Sequence, residues 1–553
     1  MPHIKQHWPL VVALILLMIV FAGFWLATVP RQDGHMIYAL DDPYIHMAIA
    51  KNVVHHSTWG ISPYEFSGAS SSPLWTLMLI AIYAVVGVNE ITPLILNLLS
   101  AVGLLGLLYA MLRREALTQR QVATSLVLLF FLLPIPLLIF IGHEHLLHTL
   151  LVLLFLHLGM PLLLREEAPF QTTRFTLWAL TPLLSIRYES LFMLAIFCGL
   201  LLLRRRWVDA VVIGVLAWVP VVAYAAFSLN HGDLWLPSPI VIKTTLRDTS
   251  SVNDTIKELL NQFSYAELRQ RYMTMMTRQG LQLAYPALIA VGIYIWRAMQ
   301  GHTFWEARQV WLLVFIGSAA LHVHFARTSY FYRYEAYLVV LFAIILLPPL
   351  VRILAAQNIS LRAIRANLLQ AVVLLAMVAA LAFPYILRIY EGISHTPRGM
   401  TNIYQQQYQM GRFIKTYYDG QGVVLNDIGA VCYLADIHLL DLWGLGTPAT
   451  TEAIRKGTLW RKTIGTMAAE RDMQIAILYE AEFQYYGGLP QEWVRVALWT
   501  IPDRVTPAGK TVTFLAVDPA AADQLRANLH KFEAELPSEV IVDYLVNEEE
   551  MSP

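Results

Sequence analysis

Long apolar runs separated by short polar segments occupy the chain from Trp8 to about Tyr390; beyond that point the runs shorten and Gly, Asp, Gln and charged residues become common. Runs as long as a bilayer-spanning helix predict a polytopic α-helical membrane region over residues 1–390, and the later pattern predicts a small soluble α/β domain over residues 391–553. The first run, Trp8 to Thr28, lacks a short apolar core with a small-residue cleavage site before Arg31 and reads as an uncleaved anchor. Leu74 to Val88 is only about fifteen residues long, and counting it as a span would invert every later loop, so it reads as a juxtamembrane or re-entrant helix. In the soluble part "GVVLND", "IHLLDLWG", "MQIAILY" and "TVTFLAV" read as strands, and Pro519 to Leu536 as a helix capped by Asp518. The acidic tail "NEEEMSP" reads as a frayed end.

Arg and Lys recur between the apolar runs at Lys5, Arg113 with Arg114 and Arg120, Arg165 with Arg174, Arg204 to Arg206, Arg297 with Arg308, and Arg352 with Arg362 and Arg365. The positive-inside rule makes these loops cytoplasmic and leads to about eleven spans, with juxtamembrane helices and an external C-terminal domain. Composition supports the class: of 553 residues 57% are hydrophobic and 14% charged, with a mean hydropathy of +0.53. Lys plus Arg and Asp plus Glu both number 39, so no basic field argues for a nucleic-acid partner. Cys198 lies in an apolar segment and Cys432 in the polar region, which argues against a disulfide between them.

Under this topology the unusual polar residues fall on the external side. "ALDDPYIHMA" puts Asp41 and Asp42 at the start of a helix, where carboxylates beside hydrocarbon mark a functional site. Asp42 followed by Pro43 also fits an N-cap with proline in the first turn, a role that needs only one of the pair, so Asp41 leads as the candidate base. "SGASSSPLW", Ser67 to Trp75, joins a small-residue turn to the short helix and reads either as a loop or as a positioning segment for a lipid or acceptor. "GHEHLLH" brings Glu144 together with His143, His145 and His148; its spacing matches no established zinc site, and Glu144 is the stronger candidate. Arg187 and Glu189 in "SIRYES" interrupt an apolar stretch, either as a mutual pair in a tight turn or facing a polar cavity. Lys243 and Arg247 follow "LPSPIVI", ahead of an amphipathic stretch reaching to about Arg278. "RTSYFYRYEAY" supplies Arg327, Arg333 and Glu335 among aromatics that read as an interfacial belt, with Arg333 suited to holding phosphate. Asp427 in "NDIGA" reads as the cap of a strand-to-helix turn.

An external carboxylate next to Arg and Lys suits sugar transfer from a polyprenyl phosphate: the attacking hydroxyl needs a base, and the departing phosphate needs cationic donors. "LDDPYIHMAIAKNV", "SSPLW", "GHEHLLHTLL" and "NDIGAVCYLADIHLLDLWGLG" together resemble the GT-C superfamily of membrane glycosyltransferases, particularly bacterial cell-envelope arabinofuranosyltransferase-like members. The resemblance implies a GT-C-like membrane fold in the plasma (inner) membrane and a polyprenyl-phosphate sugar donor with a glycan or glycoconjugate acceptor. It also implies Asp41 or Asp42 as base, Glu144 near the active site, and inversion at the anomeric carbon. The histidines of "GHEHLLH", and "RYES" where proline more usually follows the arginine, depart from the pattern. Arg187, Lys243 and Arg333 are the candidate phosphate-binding cations, with Glu144 and Glu189 beside them. A divalent cation, Mg, Mn or Ca, is compatible with Asp42, Glu144 and His145. The competing reading is a transporter or flippase of lipid-linked sugars, which the absence of an evident inverted repeat disfavours.

Overall fold

The protein is described here by a computed structural model, which covers residues 2–164, 171–243, 280–326, 330–356 and 368–545 with isolated positions between them. Among the described residues six helices are long and apolar enough to cross a membrane: Gln6–Arg31, Thr92–Arg114, His145–Leu164, Trp207–Asn230, Leu281–Met299 and Ala336–Ala355. The chain is therefore a multi-pass membrane protein. Several other apolar runs form shorter helices than the charge pattern implies. Gln119–Leu132, Gln171–Leu184 and Ser190–Leu203 have 14 residues each, about 21 Å of helix against a hydrocarbon core of roughly 30 Å. The causes are local: Pro134 separates Gln119–Leu132 from the six-residue helix Ile135–Phe140, and the turn at Arg187–Glu189 divides the apolar stretch from Phe175 to Leu203. Pro73–Val86 forms a helix of 14 residues that leaves Val85 and Val86 exposed.

The helix Leu368–Ile403 runs straight through position 390, where the composition changes, and continues through a π-helical turn, Tyr404–Tyr408, into Gln409–Tyr417. Beyond it lies one six-stranded sheet ordered β2-β1-β3-β5-β4-β6. Its strands are β1 (Gly422–Leu425), β2 (His438–Asp441), β3 (Ile475–Leu478), β4 (Val494–Thr500), β5 (Thr511–Ala516) and β6 (Ile541–Tyr544). β1 pairs in parallel with β2 and β3, and the remaining pairs are antiparallel. The four expected strands are β1, β2, β3 and β5. β4 escapes the alternation rule because a register shift between Arg495 and Ala497 breaks its period of two, and β6 is a four-residue edge strand. Asp518 does cap: its side chain accepts the Ala520 N–H, ahead of the helix Ala522–Phe532. Both cysteines are free.

One helix from each half of the chain joins the two. The helix Asp42–His56 lies along the six-residue helix Gly429–Leu434 and binds both of its ends. At the N-terminal end the Asp41 carboxylate accepts the N–H groups of Gly429 (2.7 Å) and Ala430 (2.8 Å). At the other end Lys51 Nζ donates to the carbonyls of Cys432 (3.2 Å) and Tyr433 (3.0 Å) and pairs with Asp436 (2.8 Å). Carboxyl oxygens that accept at the first turn and a cation that donates at the last satisfy terminal groups that a short helix leaves open. Contact is so close that a Cβ on Gly429 would lie 2.1 Å from the Asp41 carbonyl oxygen. Gly429→Ala is therefore expected to destabilise this junction by about 1–3 kcal/mol, read as faster amide exchange across residues 429–434; unchanged protection there would refute the close-contact account.

Candidate active site

Neither carboxylate of the Asp41–Asp42 pair caps its own helix. The helix begins at Asp42, one residue earlier than an Asp42 cap requires, and its N-cap residue Asp41 makes no capping bond within it. Both side chains are thereby released for tertiary contacts, and they diverge. Asp41 turns to the soluble domain, as above, while Asp42 Oδ2 meets Arg333 Nη2 at 2.5 Å. Asp42 keeps 30% of its side chain exposed, whereas Arg333 keeps 2%. Arg333 sits beside Tyr334, whose hydroxyl is 3.1 Å from the same nitrogen.

The turn that delivers Arg333 is strained. Phe331 (φ 54°) and Tyr332 (φ 56°) both occupy the left-handed region, at a cost on the order of 1–3 kcal/mol each for such side chains. Buried Arg388 holds the turn, donating to the Tyr332 carbonyl (2.8 Å) and pairing with buried Glu335 (2.6 Å). Glu335, one of the charges in the aromatic segment, thus serves this support.

Opposite Arg333, Gly142 (φ 67°) turns the chain beneath the ring of Tyr38, where a Cβ would come within 2.6 Å of that ring. His143 and Glu144 follow and point inward, both buried. Glu144 Oε1 accepts from Arg187 Nη1 (2.8 Å), and Glu144 Oε2 lies 3.3 Å from His143 Nδ1. Arg187 also forks onto Glu189, with Nε to Oε2 at 3.1 Å and Nη2 to Oε1. The mutual Arg187–Glu189 pair of the tight turn is present, and the same guanidinium reaches Glu144. Burial alone would raise the Glu144 carboxyl, but the His143 hydrogen bond and the Arg187 charge hold it well below the usual carboxylate range. Glu189 is lowered in the same way, burial being outweighed by Arg187. His143 is pushed down by burial, which leaves a neutral imidazole. Ser72 Oγ donates to the Ile186 carbonyl (2.6 Å), so the "SGASSSPLW" segment supports the Arg187 turn.

His46, one helical turn after Asp42, is the residue that sequence reasoning missed; the i, i+4 spacing that puts both on one face was the available signal. Its Nδ1 lies 2.8 Å from Thr76 Oγ1, its Nε2 3.3 Å from Ser71 Oγ, and its ring packs edge-on against His143. One donor atom each from His46, His143 and Glu144 falls within 4.8 Å of the other two, the one such group among the described residues. Asp42 and His145, grouped with Glu144 in the sequence reading, lie outside that set. His145 is buried against His143 and Tyr334, and neither of its ring nitrogens has a hydrogen-bond partner among the described residues. His148 bonds Ser190 Oγ at 2.8 Å, a tie between helices.

Asp427 does not cap. Ile428 holds the N-cap position of Gly429–Leu434 without a side-chain bond, and Asp41 supplies the acceptor instead. Asp427 accepts from Gln407 Nε2 (2.7 Å), a residue the π-turn carries inward, and burial raises its carboxyl. Asp41 is raised to about 8, first by burial, then by Asp427 and Asp42, against the opposing effect of its two N–H bonds. Lys243 ends the short helix Ser238–Lys243, and its side chain lies outside the described residues, as do Arg247, Arg327, the stretch leading to Arg278 and the acidic tail.

A family model described as Domain of unknown function (DUF8728) matches residues 401–515, from the end of the long helix through most of β5. No curated protein matches the chain. Among solved structures, the chain is similar to the crystal structure of ArnT from Cupriavidus metallidurans in the apo state, at 12% identity and a TM-score of 0.47, over 94% of this chain and 99% of that one. It is also similar to ArnT from the same organism bound to undecaprenyl phosphate, at 14% identity and a TM-score of 0.48, over 93% and 98% of the two chains.

Two outcomes follow from the charges. Arg187→Gln leaves Glu144 buried without its cation and is expected to cost about 3–5 kcal/mol, read as a lower unfolding temperature; an unchanged midpoint would contradict the pairing. Asp41, raised from 3.8 to about 8 on folding, keeps in the folded state a proton that the unfolded chain has released. Stability therefore falls as pH rises between those values and levels off above about 8. Unfolding of wild type and Asp41→Asn across pH 5–9 checks this: the variant should show the shallower slope, and identical slopes would refute it.

Proposed function

We propose that the protein is an inverting glycosyltransferase that moves a sugar from a polyprenyl-phosphate donor to a hydroxyl acceptor on the extracytoplasmic face of the membrane, in cell-envelope glycan or glycoconjugate assembly. The observation that carries this reading is the contact between the partly exposed Asp42 carboxylate and the buried Arg333 guanidinium, three residues ahead of the candidate span Ala336–Ala355. A carboxylate and a cation held together are what a proton-accepting base and a phosphate-holding group require.

In this reading the donor phosphate takes the Arg333 guanidinium and frees Asp42. Asp42 then accepts the proton of the acceptor hydroxyl while the hydroxyl oxygen forms the new bond to the anomeric carbon. The bond from that carbon to the phosphate oxygen breaks, and the electron pair leaves with the polyprenyl phosphate. A single displacement inverts the centre. Asp42 takes the base role in preference to Asp41, because both Asp41 oxygens accept backbone N–H groups and its carboxyl is raised to about 8. Glu144 and Glu189 hold Arg187 beside Tyr334, the ring that Arg333 also faces, and their two carboxylates offset its charge, which leaves Arg333 as the cation for the phosphate.

The donor set also fits a divalent ion. His46, His143 and Glu144 would hold it, and the buried His143 Nε2 has no hydrogen-bond partner among the described residues. Two imidazoles with carboxylate suit zinc or manganese better than magnesium or calcium, which prefer oxygen ligands. Such an ion would supply positive charge near the leaving phosphate.

Purified protein in nanodiscs, offered a panel of polyprenyl-phosphate sugars, tests the reaction. Asp42→Asn is expected to lower transfer about 10²–10⁴-fold, and Asp41→Asn by much less. Loss on Asp41→Asn alone would reverse the assignment, and movement of the lipid between leaflets without transfer would favour a transporter. For the metal, elemental analysis should find close to one transition-metal ion per chain in wild type and little in His143→Ala; equal content in both would remove it.

A further inference from the structure

The end of the helix bundle away from Asp42 holds a polar cavity. It has a volume of about 570 Å³ and lies among the ends of Thr92–Arg114, His145–Leu164, Leu281–Met299 and Ala307–Phe325, with Ala336–Ala356 behind. His145 begins near the candidate active site and Leu164 lines this cavity, so a helix length of about 30 Å separates the two. Its walls carry Arg114, Arg297 and Arg308 with Glu115 and Glu306. The carboxylates are already engaged. Glu306 binds Arg297 (2.9 Å) and His302 (2.8 Å), while Glu115 binds Arg352 (3.0 Å) and lies 3.8 Å from Arg308. Arg114 makes no hydrogen bond or ion pair among the described residues, and buried Arg297 Nε has no hydrogen-bond partner among them. Among the described residues three arginines thus line the cavity against two carboxylates, and the floor beside them is apolar, formed by Met160, Pro161, Trp311 and Ile345.

A compartment of this size, cationic at its rim and apolar at its floor, between membrane helices, is built for an anionic amphiphile. The arginines of the same loops assign this end to the cytoplasmic side. We propose that the cavity binds the headgroup phosphate of an acidic phospholipid of the cytoplasmic leaflet, with Arg114 and Arg308 as its principal contacts and part of an acyl chain along the apolar floor. The site is separate from the Asp42 centre and does not depend on the reaction assigned there.

The test is lipid retention by the delipidated full-length protein, measured by native mass spectrometry with phosphatidylglycerol and with phosphatidylcholine of identical chains. Preferential retention of phosphatidylglycerol is expected, and the double variant Arg114→Gln with Arg308→Gln should weaken it roughly thirtyfold. Glu115 keeps Arg352 in that variant, so the local fold retains an ion pair. Equal retention of the two lipids by wild type would overturn the proposal without recourse to a variant, and so would undiminished retention by a folded double variant. Free glycerol phosphate is the second arm: failure to displace the lipid at millimolar concentration is expected, whereas displacement at the lipid's own affinity would assign the cavity to a soluble anion.

Discussion

The peptide bond between Asp41 and Asp42 is where the two halves of the molecule meet. One carboxylate ends in the soluble domain on the amides of Gly429 and Ala430, and its neighbour ends in the membrane region on Arg333. Lys51, farther along the same helix, closes the far end of Gly429–Leu434. The helix Asp42–His56 is thus fixed against the soluble domain along its length, and the position of Asp42 is inherited from that docking. Dislodging the domain would move the carboxylate.

Electrostatics explains why these charges stay near hydrocarbon. Buried Arg187 lies between Glu144 and Glu189, and buried Arg388 between Glu335 and the Tyr332 carbonyl. A buried charge without a partner is expensive, and pairing with well-directed hydrogen bonds removes most of that cost. The two arrangements differ in purpose. Arg388 holds a left-handed turn, whereas Arg333, at the end of that turn, meets a carboxylate with nearly a third of its side chain exposed.

Much of this was legible in the sequence because charge in an apolar chain is conspicuous. Asp42, Glu144, Arg187, Glu189 and Arg333 stand out by their places in charged motifs between apolar runs, with Asp41 ahead of Asp42 as the candidate base, and the structure brings these five to one end of the bundle. Four of six strands were also evident from β-branched runs bounded by Gly, Asp and Asn. What escaped has physical reasons. The division of labour between Asp41 and Asp42 depends on a helix nearly four hundred positions away, and no local pattern encodes it. Asp427 looks like a cap, yet the donors it would have satisfied are taken by Asp41 through a tertiary contact. His46 is inconspicuous within an apolar helix until the fold sets it against His143. Pro134 and the Arg187 turn also escaped notice, because they divide into shorter helices what hydropathy reads only as apolar length.

In the proposed function the donor phosphate takes the place that Asp42 holds on Arg333. The most direct measurement is an experimental structure of the protein with a polyprenyl phosphate bound. The account predicts lipid phosphate oxygens within hydrogen-bond distance of the Arg333 guanidinium, with the Asp42 carboxylate displaced from it and facing the adjoining space. A lipid phosphate seated elsewhere, with the Asp42–Arg333 pair intact, would contradict it.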